Sequence, residues 1–168
     1  MKKSFYTFIL LIFIFKINIA FGQLFQLIEP NLTELKKTHS VENNENDIIY
    51  LYLKRNYKPV TTKTNIQKSD YNTSQICAFE QVFEYKIKYS IDFCDEEGGI
   101  TTKLRLPKIE KQKIITWIEK IHAVNYSNAP YEWNNEKNIY SPVGGEAGCY
   151  YELKESNNEW NIEIFCGC

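Results

Sequence analysis

Between Phe83 and Phe93 the chain reads FEYKIKYSIDF, in which Phe83, Tyr85, Ile87, Tyr89, Ile91 and Phe93 alternate with Glu84, Lys86, Lys88, Ser90 and Asp92. No other stretch limits the fold so tightly. Successive side chains of a strand point to opposite faces, so strict alternation predicts a half-buried antiparallel strand, with one face on a core and one in water. Asp95 to Gly99 then reads as a turn. Ile100, Thr102, Leu104 and Leu106 share one face of the returning segment, which makes a hairpin over 83–106.

The rest of the chain is read against that hairpin. Pro107 stands where proline is tolerated at the start of a helix. Ile114, Trp117, Ile118 and Ile121 recur at helical spacing behind it, which predicts a helix over about 107–122. Glu110 in its first turn and Lys120 and His122 in its last suit the helix dipole, so His122 is expected as a helix-end cation. IIYLYLK, Ile48 to Lys54, reads as a buried strand rich in branched and aromatic residues. Asn31 is placed to cap a short helix running to about Lys37. Residues 55–74 read as a long loop with room for one short edge strand. The sum is an α+β domain: a mostly antiparallel sheet of about five or six strands, including hairpins 83–106 and 149–166, packed against the 107–122 helix. No internal repeat is visible.

The first residues, MKKSFYTFILLIFIFKINIAFGQ, place Lys2 and Lys3 before an uncharged apolar run from Phe5 to Phe15, then Ala20-Phe21-Gly22 before Gln23. That is the layout of a secretory signal peptide over residues 1–22, cleaved before Gln23, with a single domain over 23–168. A membrane anchor needs about 20 predominantly apolar residues, more than this run offers. The expectation is therefore a secreted or periplasmic protein with no stable membrane insertion after cleavage. Lys2, Lys3 and Lys16 leave with the leader and no acid does, so 20 basic and 21 acidic residues become 17 and 21. A mildly acidic chain has no basic face to attract nucleic acid.

Three of the five cysteines lie in the closing stretch GCYYELKESNNEWNIEIFCGC. A two-residue turn at Asn157-Asn158 sets Leu153 opposite Ile162, Tyr151 opposite Ile164 and Cys149 opposite Cys166. Opposed Cβ atoms lie about 4.5–5.5 Å apart, within reach of a disulfide. The same register opposes Glu152 to Glu163, a clash that a four-residue turn would relieve while separating the two sulfurs. Cys77 and Cys94 bracket the alternating strand and would be about 55 Å apart if all of it were straight, at roughly 3.3 Å per residue. Cys77–Cys94, or either one with Cys168, stays open. Cys166-Gly167-Cys168 has the wrong spacing for half a zinc site and no C-x-x-C redox pair occurs, so neither a metal nor a cofactor is expected.

A binding site is sought in residues 125–148, a connection too long to be idle in a compact domain. It carries Tyr126, Tyr131, Trp133 and Tyr140 among Asn and Ser residues. Rigid aromatic area beside adaptable amides suits recognition of a protein or a glycan, although the same rings could instead fold back and seal the core. The function read from sequence is an exported, non-catalytic binding or inhibitor-type domain. The alternative is a small extracytoplasmic hydrolase. It would use Cys149 as nucleophile beside the glycines at 144, 145 and 148 with His122 as base, or a carboxylate pair from Glu132, Glu136 and Glu146.

Overall fold

The computed structural model describes residues 25–41, 47–68, 76–94, 99–125 and 130–167. The leader, Tyr126 and Cys168 lie outside them. Three helices, α1 (Leu32–Val41), α2 (Ile48–Asn56) and α3 (Lys111–Asn125), accompany eight strands: β1 (Thr64–Lys68), β2 (Ile76–Val82), β3 (Lys88–Asp92), β4 (Ile100–Pro107), β5 (Tyr131–Asn134), β6 (Ile139–Pro142), β7 (Gly148–Ser156) and β8 (Glu159–Gly167). All eight strands form one antiparallel sheet in the order β1-β2-β3-β4-β8-β7-β6-β5. The α+β class stands, with more strands than the sequence suggested. The unanticipated ones are β2, and β5 and β6, which at four residues each are too short to leave a periodic signal. β1 is the short edge strand allowed for within residues 55–74.

That strand order is a repeat in topology. A helix (α2) precedes the meander β1 to β4, and a helix (α3) precedes the meander β5 to β8. The two meanders meet by their last strands along β4 and β8, where Leu104 faces Ile162. Tyr89, Leu104, Ile162 and Leu153 form one buried row across that junction. The three helices pack on the same face of the sheet as this row, and the core lies between them.

Three readings from sequence need correction. The alternating run is not one strand. Residues 84–87 form a tight turn in which the two central residues, Tyr85 and Lys86, both take positive φ, 59° and 62°, and the Ile87 amide donates to the Glu84 carbonyl at 3.3 Å. Left-handed backbone costs such residues about 1–2 kcal/mol each. The burial of Phe83 and Ile87 on either side holds it in place, helped by the Phe83 amide donating to the Ile87 carbonyl at 2.8 Å. The turn reverses the chain but keeps the parity of burial, since Phe83, Ile87, Tyr89 and Ile91 are all in the core. Alternation therefore recorded which side chains are buried, not that the backbone is straight. The hairpin expected over 83–106 is β3 with β4, and 83–87 is the turn joining β2 to β3.

IIYLYLK is helical, not a strand. All six residues Ile48 to Leu53 are buried, and a helix that is apolar all round belongs between other elements, here the sheet, α1 and α3. A short continuous apolar run does not tell the two states apart by itself. The third helix starts at Lys111, because Pro107 is the last residue of β4, paired with Glu159, and Lys108 donates to the Asn158 carbonyl at 2.9 Å. Its apolar stripe is the expected one: Ile114, Trp117, Ile118 and Ile121 are buried.

Two local expectations match in detail. Asn31 caps α1: its Oδ1 accepts from the Glu34 amide at 3.3 Å, and its Nδ2 donates to the Glu34 carboxylate at 3.2 Å. The closing hairpin turns at Asn157-Asn158 in the expected register, with Cys149 bonded to Cys166. Glu152 does face Glu163, but Lys154 Nζ lies 2.7 Å from Glu152 and Lys103 Nζ lies 3.4 Å from Glu163. Cys77 is bonded to Cys94, brought within 4.8 Å (Cα to Cα) by the turn at 84–87.

Candidate functional site

Three of the four rings singled out in the 125–148 stretch, Tyr131, Trp133 and Tyr140, gather at one edge of the sheet. Trp133 on β5 faces Tyr140 on β6, and Tyr140 in turn faces Tyr151 on β7. Ring centroids stand 5.1 Å apart for Trp133 and Tyr140, 5.3 Å for Tyr131 and Tyr140, and 6.0 Å for Tyr140 and Tyr151. The end of α3 closes the cluster from above. His122 lies 3.8 Å from the Tyr131 ring, and Trp133 Nε1 donates to Glu119 Oε1 at 2.9 Å.

Tyr131, Trp133 and Tyr140 are half-buried. Trp133 and Tyr140 pack against the core cluster, and all three rings keep part of their surface exposed. Their polar ends are partly committed. The Tyr131 hydroxyl accepts from the Cys149 amide at 3.1 Å. Burial raises the Tyr140 hydroxyl above its ordinary pKa, with Glu119 and Tyr131 adding to it.

Gly148 supports this arrangement, a packing role that the sequence reading, which placed it beside Cys149 as a candidate nucleophile, did not give it. A Cβ there would meet Tyr131 Oη at 2.5 Å and Pro142 Cγ at 2.8 Å, so only glycine lets β5 and β6 close over the start of β7. The available signal was its position, immediately before a cysteine with a fixed cross-strand partner.

His122 is not the expected helix-end cation. It is buried, its Nδ1 is 3.4 Å from the Tyr151 hydroxyl, and burial lowers its pKa, so it is neutral at neutral pH. Cys149 is 1% exposed and bonded to Cys166. The proposed dyad therefore has no thiol to activate. Glu132, Glu136 and Glu146 all stand exposed, away from a closed cleft of the kind that raises a catalytic carboxyl. Among the described residues, no group of three or more His, Cys, Asp or Glu could hold a metal ion.

A second region went unread. Among the described residues no helix covers the other face of the sheet, and a hollow of about 320 Å³ crosses its middle, lined by Glu80, Lys88, Lys103, Arg105, Lys154 and Glu163 with Ser90 and Asn161 among them. Lys88 faces Arg105, Arg105 faces Asn161, and Asn161 faces Lys154, which makes a single row over four strands. In sequence these residues are only the polar half of an alternation, and nothing marks them as neighbours until the order β3-β4-β8-β7 is known.

No family model, curated protein or solved structure matches this chain.

Proposed function

We propose that this chain is an exported, non-catalytic binding or inhibitor-type domain that recognises a protein or a glycan through the ring cluster of Tyr131, Trp133 and Tyr140. One observation carries the reading. The rings pack against one another at a sheet edge with part of each surface exposed, while the nearest candidate nucleophile, Cys149, is locked in a buried disulfide. Rigid aromatic area loses little conformational entropy on binding, which is what a recognition surface needs. Two disulfides fit an oxidising compartment. Among the described residues no helix is long and apolar enough to cross a membrane. The disulfides accord with export by a leader over residues 1–22.

The test has two parts. Intact mass of the exported protein, alkylated without reduction, should give a chain beginning at Gln23 with Cys149 unlabelled. A labelled Cys149 would restore the hydrolase reading. Glycan arrays and affinity capture are then compared for the wild type and Trp133→Ala. A ligand retained by the wild type and lost by a folded Trp133→Ala protein supports the proposal. Equal retention by both removes the ring cluster as the site.

A further inference from the structure

His122 is the buried centre of the ring cluster. It is 4% exposed, and rings from three strands surround it. Tyr131 of β5 lies 3.8 Å away, Tyr140 of β6 5.6 Å and Tyr151 of β7 5.7 Å, centroid to centroid. We propose that His122 is a proton-sensitive latch. Neutral, it holds the β5–β6 hairpin and its rings against α3; charged, it releases them. The ring surface then exists at neutral pH and is taken apart in acid. The latch presupposes that the ring cluster is the recognition surface and adds its control.

Burial makes this position sensitive to charge. An imidazolium enclosed by three tyrosine rings loses most of its hydration, and that loss disfavours the charged form. The titratable groups facing it are Tyr131, Tyr140 and Tyr151, the last with its hydroxyl 3.4 Å from Nδ1. Tyrosine hydroxyls are neutral between pH 4 and 8 and bring no negative charge. On α3 itself Glu119, one turn earlier, accepts from Trp133 Nε1 at 2.9 Å. The helices α1 and α2 pack on α3 as well. Burial is the cause that lowers His122, and no carboxylate of any of these elements acts to raise it.

The hairpin is the part that can give way. β6 joins β7 through two residue pairs, Ile139 with Glu152 and Tyr140 with Tyr151, whereas β7 and β8 share nine. β5 is the last strand of the sheet. Between β6 and β7 the chain passes through Gly144 and Gly145, at φ 81° and 73°, with open space where a Cβ would stand. Such a glycine pair is a ready hinge. An element so lightly attached opens at lower cost than the whole molecule unfolds. Opening carries Tyr131 and Tyr140 away and returns water to His122. Each pKa unit by which closure depresses His122 multiplies the open-to-closed ratio about tenfold once pH falls below the closed value.

The experiment follows the ¹⁵N-labelled mature protein by NMR from pH 7.5 to 4.5. The His122 imidazole, the Trp133 indole N–H and the amides of 131–142 should move together in one transition below pH 6.5. The amides of β8 should keep their positions through it. His122→Gln should hold the indole and hairpin signals in place down to pH 4.5, and Glu119→Gln should leave the wild-type midpoint unchanged. If His122→Gln does not fold, agreement of the three wild-type midpoints decides. A hairpin that stays closed down to pH 4.5 would overturn the proposal, whether or not His122 titrates. Loss of the β8 amides in the same step would overturn it too, because that is global unfolding. So would an unchanged transition in His122→Gln, or one abolished by Glu119→Gln, which would assign the opening to that carboxylate. The readout needs no ligand. Failure to find one on the arrays or by capture therefore counts against the recognition reading alone, and a closed hairpin counts against the latch alone.

Discussion

The two meanders share a plan and are fastened differently. The first half is held by buried polar links. Tyr89 donates to Asp47 at 3.0 Å, Tyr50 donates to Gln81 at 2.8 Å, and Gln81 in turn donates to the Thr61 carbonyl at 2.7 Å. Tyr52 and Tyr57 tie α2 to the segment before α1 by donating to the carbonyls of Ile28 and Gln26. Among the described residues the second half has fewer such links: His122 Nδ1 lies 3.4 Å from the Tyr151 hydroxyl, and Trp160 Nε1 donates to the Ile109 carbonyl at 2.8 Å. Apolar rows stand beside them, while ring contacts and one disulfide occur in each half. Buried polar links specify partners but are sensitive to charge, while apolar packing is sensitive to shape. The halves should therefore fail for different reasons.

The largest effects should come from the disulfides, and they should be equal. Both bonds close the same sequence separation of 17 residues. If the constraint on the unfolded chain dominates, Cys77→Ala/Cys94→Ala and Cys149→Ala/Cys166→Ala each lose about 3 kcal/mol in a denaturant titration. A gap of more than about 1 kcal/mol between them would locate the extra loss in native packing, which the apolar second half should feel more.

Glycine substitutions sharpen the contrast at a smaller scale. A Cβ at Gly148 meets only the side chains of Tyr131 and Pro142, whereas at Gly99, with φ at 89°, it meets the backbone carbonyl of Cys166. Overpacking costs about 1–3 kcal/mol, and backbone cannot move aside as a ring can. Gly99→Ala should thus destabilise more than Gly148→Ala by chemical denaturation. Gly148→Ala should also change the near-ultraviolet signal of the ring cluster.

The titrations of the halves run in opposite directions. Burial raises the Asp47 carboxyl above its ordinary 3.8, against lowering contributions from Tyr89, the amides of Ile49 and Tyr50, and His39. The native state then binds more protons than the unfolded chain, so this stability is full below pH 3.8 and is lost as pH rises through the folded value. Burial lowers His122 from its ordinary 6.5, so its contribution is full above pH 6.5 and is lost as pH falls through that value and below. Asp47→Asn should flatten the loss on the alkaline side of pH 4. His122→Gln should flatten the loss below pH 6.5. Thermal unfolding across pH 3–8 reads both, and identical profiles for wild type and variants would break the comparison.

The same contrast governs what could be read from sequence. In the closing hairpin the alternation, the Asn157-Asn158 turn and the cysteine spacing agreed, so pairing was legible to the residue. In the first half they conflicted. The run from Phe83 to Phe93 alternates through a turn made by Tyr85 and Lys86, residues with no local preference for positive φ. Ile48 to Leu53 is apolar without a period, because helices and sheet surround it, and local pattern cannot distinguish that from a strand. The rings at Tyr131, Trp133 and Tyr140 were legible as a group by composition. The hollow was not, since its lining side chains come from separate strands whose order the sequence does not give.

The smallest expected effect concerns two like-charged pairs, one in each half: Lys88 opposite Arg105 and Glu152 opposite Glu163. Direct opposition of like charges destabilises a sheet by a few tenths of a kcal/mol. Both pairs are offset by neighbours of opposite sign, Glu80 and Glu159 in the first and Lys154 and Lys103 in the second. Glu163→Gln removes a repulsion from Glu152 and an attraction to Lys103 together. Its effect should therefore stay within about 0.5 kcal/mol, as for other exposed positions. Adding Lys103→Gln exposes the balance: with Lys103 already neutral, Glu163→Gln only relieves Glu152 and should be stabilising. A double-mutant cycle in low salt measures the difference, and a Glu163→Gln effect independent of Lys103 would mean that the repulsion, not the cross-strand ion pair, governs this part of the face.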